Sequence, residues 1–83
     1  MAKLLVNISI PAISESYDLR VPDFLKIRTL VPMIVESVVE LSAKRYVPSG
    51  EEYLCVLEQG RVLSHNHTVA ESGIKNGDHL YLF

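Results

Sequence analysis

Apolar residues alternate with polar ones at both ends of this chain and recur at helical spacing in its middle. Leu4, Val6, Ile8 and Ile10 alternate with Leu5, Asn7 and Ser9, the period-2 pattern of a strand with one buried face. Pro11 should end that strand, because proline has no N–H to give to a ladder. Residues 12–16 read as a connection, after which Tyr17, Leu19 and Val21 alternate with Asp18 and Arg20 as far as Pro22. Two such runs joined by a short link predict an antiparallel hairpin. From Asp23 to about Ser42 the period changes. Ile27, Leu30, Val31, Ile34, Val35, Val38 and Leu41 are spaced by threes and fours, which predicts an amphipathic helix. A proline deep in a helix costs roughly 3 kcal/mol, so the helix is expected to begin at Ile27 or later, with Pro32 near its first turn. Asp23 is a good capping residue type but sits early for that start, which leaves the cap open.

Residues 46–52 carry the Pro, Ser and Gly of a loop. Tyr53 to Leu57 read as a third strand, reversed at Glu58-Gln59-Gly60, and Arg61 to Leu63 as a short fourth. After the polar turn Ser64–His67, residues 68–74 are long enough for one helical turn, with Val69 and Ile74 turned inward and Gly73 ending it. Asn76-Gly77 offers left-handed backbone for a tight turn. Leu80 and Leu82 then alternate with His79, Tyr81 and Phe83 in a final strand. A single amphipathic helix must bury its stripe on one face of the sheet. The long crossover through it lets the first and last strands pair in parallel at the centre. The expected fold is α+β, a β-grasp (ubiquitin-like) domain: a mixed sheet of four to five strands with one main helix on one face, and residues 1–83 as a single domain.

Composition narrows the classes of function. With 48% hydrophobic and 22% charged residues and a formal charge of −2, the chain has the make-up of a soluble globule. Lys3, Lys26, Lys44 and Lys75 are scattered, and no basic stripe points to nucleic acid. The one cysteine, Cys55, cannot form an internal disulfide, which fits a reducing compartment. No apolar run approaches the roughly 20 residues that span a bilayer, and the start lacks the form of a signal peptide. A cytosolic location without direct membrane insertion is expected.

Candidate chemistry is sparse. His65 and His67 lie in a polar turn and His79 opens the last strand, but no Cys/His framework or carboxylate pair completes a metal site. No motif places a base beside Cys55. Glu51 and Glu52 are expected to be solvated, and Glu36 and Glu40 are like charges one helical turn apart rather than an acid/base pair. Gly60, Gly73 and Gly77 lack phosphate-binding spacing. No enzyme, cofactor or metal is expected.

Several stretches together resemble the YukD/EsaB family: Tyr17-Asp18-Leu19-Arg20-Val21-Pro22 leading into Ile27-Arg28-Thr29-Leu30, then Gly60-Arg61-Val62-Leu63, then Ser72-Gly73-Ile74-Lys75-Asn76-Gly77-Asp78. The resemblance runs from about Leu4 to Phe83; Pro32 and the longer loop Tyr46–Glu52 depart from the pattern. It implies a small ubiquitin-like protein accompanying the type VII (WXG100/ESX) secretion machinery of Gram-positive bacteria. Such a protein would be a non-catalytic accessory or regulatory component that contacts a membrane or ATPase subunit. A cytosolic ubiquitin-like domain of a larger membrane channel subunit is the alternative. Ubiquitin and the bacterial sulfur carriers of this fold act through a mobile Gly-Gly end, whereas this chain ends on Leu82-Phe83 in a strand. Neither conjugation nor sulfur transfer is therefore expected.

If Leu80 and Leu82 face the helix, Tyr81 and Phe83 face away from it. By the same parity Leu5, Cys55, Leu57 and Tyr53 point to the open side of the sheet. Contiguous exposed apolar surface usually marks a contact. Leu5, Leu57, Tyr81 and Phe83 are the expected protein-contact residues, with Arg20 and Arg61 as rim charges, and the same face could serve a homodimer.

Overall fold

The computed structural model describes residues 3–83. Five strands and one helix follow in the order β1 (Lys3–Ile10), β2 (Glu15–Pro22), α1 (Ile27–Leu41), β3 (Leu54–Val56), β4 (Arg61–Val62) and β5 (His79–Leu82). The sheet runs β2-β1-β5-β3-β4. β1 pairs antiparallel with β2 and parallel with β5, and β3 pairs antiparallel with both β5 and β4. This is the β-grasp expected from the order and periodicity of the elements. The hairpin link is tighter than expected: a 3-10 turn at Pro11–Ile13 and left-handed Ser14 start β2 at Glu15.

The strand alternation decides the core. Val6, Ile8, Ile10, Val21, Leu54, Val56, Leu80 and Leu82 are buried on the helix side, against Ile27, Leu30, Ile34 and Val38 of α1. Each fully buried aliphatic side chain contributes about 1.5–3 kcal/mol. Val69 and Ile74 seal one end of this core. Leu41 does not join the stripe. It is the last residue of α1 and is exposed, and Ser42 is buried in its place as the chain reverses through left-handed Ala43 and Lys44.

The start of α1 has no side-chain cap. Lys26 forms an antiparallel bridge with Thr68, and the Ile27 and Arg28 N–H groups donate to the carbonyls of His67 and His65 at 2.8 and 3.2 Å. Backbone carbonyls thus do what Asp23 was a candidate to do. Pro32 lies inside the helix beyond the first turn, but it is on the exposed side. Water can serve the Arg28 carbonyl that proline leaves without a donor. A reciprocal capping box closes the 68–73 turn: Thr68 N–H donates to Glu71 Oε1 and Glu71 N–H to Thr68 Oγ1.

One turn sets the central pairing. Asp78 N–H donates to Lys75 O at 3.0 Å around Gly77, whose φ is +88°. Positive φ at the third turn position alone is the type II geometry. Asn76 is not left-handed, contrary to the reading of Asn76-Gly77 as a left-handed pair. Its side chain has another use: Oδ1 accepts the Leu5 N–H at 2.7 Å. Gly77 N–H then donates to Leu5 O and Asn7 N–H to Asp78 O, at 2.7 and 3.0 Å. The turn therefore docks directly onto β1 and starts the parallel ladder in register.

The 46–52 loop corrects a second expectation. Glu52 is buried rather than solvated. Its carboxylate accepts the Tyr46 hydroxyl at 2.9 Å, the Ser49 N–H at 2.7 Å and the Gly50 N–H at 3.1 Å. Burial by itself would raise the Glu52 pKa, but hydrogen bonds from Ser49, Tyr46 and the adjoining backbone outweigh it and hold the carboxyl below its ordinary 4.5. Burial first, then the hydrogen bond to Glu52 and its charge, pushes the Tyr46 hydroxyl from 10.0 up to about 12. The pair should give stability two limits. The Glu52 contribution is complete above the unfolded carboxyl value and lost as pH falls through the lower folded value; the Tyr46 contribution is complete below 10.0 and lost as pH rises toward about 12. Urea unfolding followed across pH checks this. Tyr46→Phe should flatten the alkaline loss, and an unchanged alkaline limb in that variant would contradict the assignment.

Candidate protein-contact face

The side of the sheet away from α1 carries the complementary set of each strand. Cross-strand pairs place Leu5 beside Arg20, Asn7 beside Asp18 and His79, and Ser9 beside Ser16 and Tyr81. Cys55 lies between Tyr81 and Val62, and Phe83 extends β5 by exchanging two backbone hydrogen bonds with Tyr53. The face is thus divided into an apolar half and a polar band.

The apolar half is aromatic. The Tyr53 and Phe83 rings stack with centroids 5.9 Å apart, and Phe83 stacks on Tyr81 at 6.2 Å, within the range where aromatic pairs attract beyond their area. Around them Leu57 is 53% and Val62 60% exposed. Tyr53, Cys55, Leu57, Gly60, Arg61, Val62 and Phe83 line a shallow depression of about 340 Å³. Leu57 reaches it from a 3-10 turn at Leu57–Gln59, not from a strand, because β3 ends at Val56.

Of the residues singled out from sequence, Leu57, Tyr81 and Phe83 come together on this half. Leu5 does not join them. Its carbonyl is level with Gly77, and Phe83 lies roughly 20 Å further along at about 3.3 Å per residue. Between them runs the polar band, in which Asn7 Nδ2 donates to Asp18 Oδ1 at 3.0 Å and Ser9 Oγ meets His79 Nε2 at 2.7 Å. Arg20 accompanies Leu5 at that far corner. Arg61 pairs with buried Val56, so its side chain leaves on the helix side of the sheet. There Nη1 donates to Ser72 O at 2.8 Å and Nε to Gln59 Oε1 at 3.1 Å, a brace for the 68–73 turn. Val62 was not singled out from sequence; its parity opposite Cys55 is the signal that marks it.

His79 Nδ1 also lies 3.5 Å from Glu58 Oε2, so Ser9, His79 and Glu58 have the connectivity of a Ser-His-carboxylate relay. The surroundings do not match that chemistry. The N–H groups of β2 and β5 that face β1 are spent on the ladders around Ser9, and among the described residues no pair of free N–H groups converges on its hydroxyl as an oxyanion hole would need. The Glu58 carboxylate is more than half exposed. The His79 ring packs at 4.6 Å on Tyr81, so these contacts lie at the edge of the aromatic half. Among the described residues no cluster of three His, Cys, Asp or Glu could hold a metal, and no helix is long and apolar enough to cross a membrane. A second groove of about 700 Å³ lies on the helix side between α1 and the 46–52 loop, over Val31, Pro32, Val35, Val39 and Pro48.

The family model for "WXG100 protein secretion system (Wss), protein YukD" matches residues 5–82. The chain belongs to the YukD family. No curated protein matches its sequence. Among solved structures, the EccD5 ubiquitin-like domain of Mycobacterium xenopi superposes with a TM-score of 0.83 at 16% identity, covering 100% of this chain and 94% of that one. The ubiquitin-like domain of the Mycobacterium tuberculosis type VII secretion system protein ECCD1 gives 0.78 at 18% identity, over 99% and 98% of the two chains. A chain of the MycP5-free ESX-5 inner membrane complex gives 0.80 at 11% identity, with 98% of this chain matching 20% of that one. At these identities the structures establish a shared ubiquitin-like fold, now carried by a YukD-family sequence.

Cys55 offers a direct probe of the YukD-family sheet face. Its thiol faces the aromatic half but is only 6% exposed, and burial, then the charge of Glu58, raises its pKa. A thiol reagent should therefore label Cys55 slowly at neutral pH and rapidly after unfolding. Equal rates in both states would show that the face does not cover it.

Proposed function

We propose that this protein is a non-catalytic, ubiquitin-like accessory or regulatory component of a WXG100 (type VII) secretion system. It acts at the cytoplasmic side of the machinery by docking on a membrane or ATPase component. The match of the YukD family model across residues 5–82 carries the reading. The aromatic half of the sheet supplies the means. Tyr53, Leu57, Val62, Tyr81 and Phe83 present rigid, partly exposed apolar surface with a depression at its centre, the make-up of a protein-binding hot spot. Leu5 and Arg20 would lie outside that contact or at its far edge, and Arg61 would support it from behind.

A second reading has one observation in its favour. The likeness to a chain of the ESX-5 inner membrane complex covers a fifth of that chain, which suits a ubiquitin-like domain within a larger channel subunit. Probing cell fractions for this protein separates the two: a species near 9.3 kDa fits the accessory protein, and a larger integral membrane species fits the channel subunit.

Affinity purification from a WXG100-secreting host, comparing wild type with a folded Leu57→Asp/Tyr81→Ala variant, tests the docking face. Secretion-system membrane or ATPase subunits should be recovered with wild type and reduced about tenfold or more with the variant, since a buried hot-spot residue is worth roughly 2 kcal/mol or more. Equal recovery would remove the face from the proposal. Recovery of no secretion subunit with either protein would remove the secretion role.

A further inference from the structure

The two edges of the sheet differ. β4 is two residues long, whereas β2 exposes an eight-residue edge with nothing among the described residues paired to its outer side. Long open edges are templates for another strand unless charged side chains, proline or a bulge blunt them; β2 has Pro22 at its end and the charges of Glu15, Asp18 and Arg20, which oppose any partner strand that does not bring complementary charge. The ladder shows which groups are free. Leu5 O and Asn7 N–H bond toward β5, so the odd residues of β1 face β5 and its even residues face β2. Leu4, Val6, Ile8 and Ile10 pair with Val21, Leu19, Tyr17 and Glu15. The odd residues of β2 are therefore spent on β1, and Ser16, Asp18 and Arg20 turn their N–H and C=O groups outward.

We propose that this edge pairs antiparallel with the same edge of a second copy, about a two-fold axis at Leu19. In that register Asp18 of each copy lies opposite Arg20 of the other, and each such pair exchanges both backbone hydrogen bonds. Each Ser16 N–H reaches the Pro22 carbonyl of the second copy, so the missing proline N–H removes only the return bond. On the outer face the two Asp18–Arg20 pairs are oppositely charged. The Arg20 guanidinium has no hydrogen-bond or ion-pair partner among the described residues of its own chain, and Asp18 has only Asn7. On the helix side the two half-buried Leu19 side chains meet at the axis, next to exposed Met33 of α1. Charge selects this register. Sliding by two residues sets Asp18 against Asp18 or Arg20 against Arg20, and sliding by one opposes outward groups to spent ones. Like charges directly opposite are unfavourable. The edge is separate from the aromatic half, so a dimer formed here leaves the docking face open.

Sedimentation velocity of the 83-residue chain from micromolar to millimolar concentration at low salt tests the proposal. Wild type should show a monomer–dimer equilibrium. Asp18→Arg alone and Arg20→Asp alone should each weaken dimerisation about tenfold or more, since each turns two attractive pairs into repulsive ones. An equimolar mixture of the two folded variants should recover dimer. The arginine introduced at position 18 of one chain then faces the aspartate introduced at position 20 of the other, and the native Arg20 faces the native Asp18. Tyr81→Ala should dimerise like wild type. A wild-type chain that stays monomeric throughout would overturn the proposal. So would a dimer that both charge reversals leave unchanged, or a mixture that fails to recover.

Discussion

The parallel pairing of β5 with β1 is the constraint on which the rest of the structure depends. It joins the two ends of the sequence at the centre of the sheet, where Leu5 and Asn7 receive Asn76, Gly77 and Asp78. Bringing residues so far apart in sequence together costs loop-closure entropy before any contact is made. The 75–78 turn concentrates five hydrogen bonds at that junction: from Leu5 to Asn76 Oδ1, from Gly77 to Leu5, from Asn7 to Asp78, from Asp78 to Lys75, and from the Lys75 N–H to Asp78 Oδ2. Once β5 is seated, Leu80 and Leu82 complete the floor under α1, and Leu54 and Cys55 have a strand to pair with.

The same pairing lays out the outer face. Tyr81 is set between Ser9 and Cys55, and His79 beside Asn7. The aromatic residues therefore gather toward the β3–β4 side, while the Asn7, Ser9, Asp18 and His79 band divides them from Leu5. β2 is left outermost, with half of its backbone groups unspent. One register thus produces two surfaces of different character: an aromatic one suited to side-chain contact and a backbone edge suited to strand pairing.

Much of this was legible in the sequence, because it rests on local periodicity. The alternation at Leu4–Ile10 and His79–Phe83 and the three-and-four spacing from Ile27 to Val38 are direct images of burial. What was not legible depends on where elements meet. Glu51 and Glu52 are adjacent and alike in sequence, yet only Glu52 is buried, because Tyr46 and the Ser49 and Gly50 amides converge on it. The cap of α1 is made by carbonyls from residues 65–67, which no pattern near Asp23 could reveal. Asn76 reads as a turn former, but its side chain is taken by β1. Parity placed Leu5 and Phe83 on one face correctly, but only the β1–β5 register sets the distance between them. Arg61 looks like a rim charge until its pairing with Val56 turns it toward Ser72.

The contact proposed for this YukD-family domain runs between the secretion machinery and the aromatic half of its sheet. Site-specific photo-crosslinking in a WXG100-secreting host tests it most directly, with the photoreactive residue at position 81 in one strain and at Glu36, on the exposed side of α1, in another. Position 81 should give an adduct with a secretion-system subunit, and position 36 none. An adduct from position 36 alone would place the contact on the helix side and contradict the proposal.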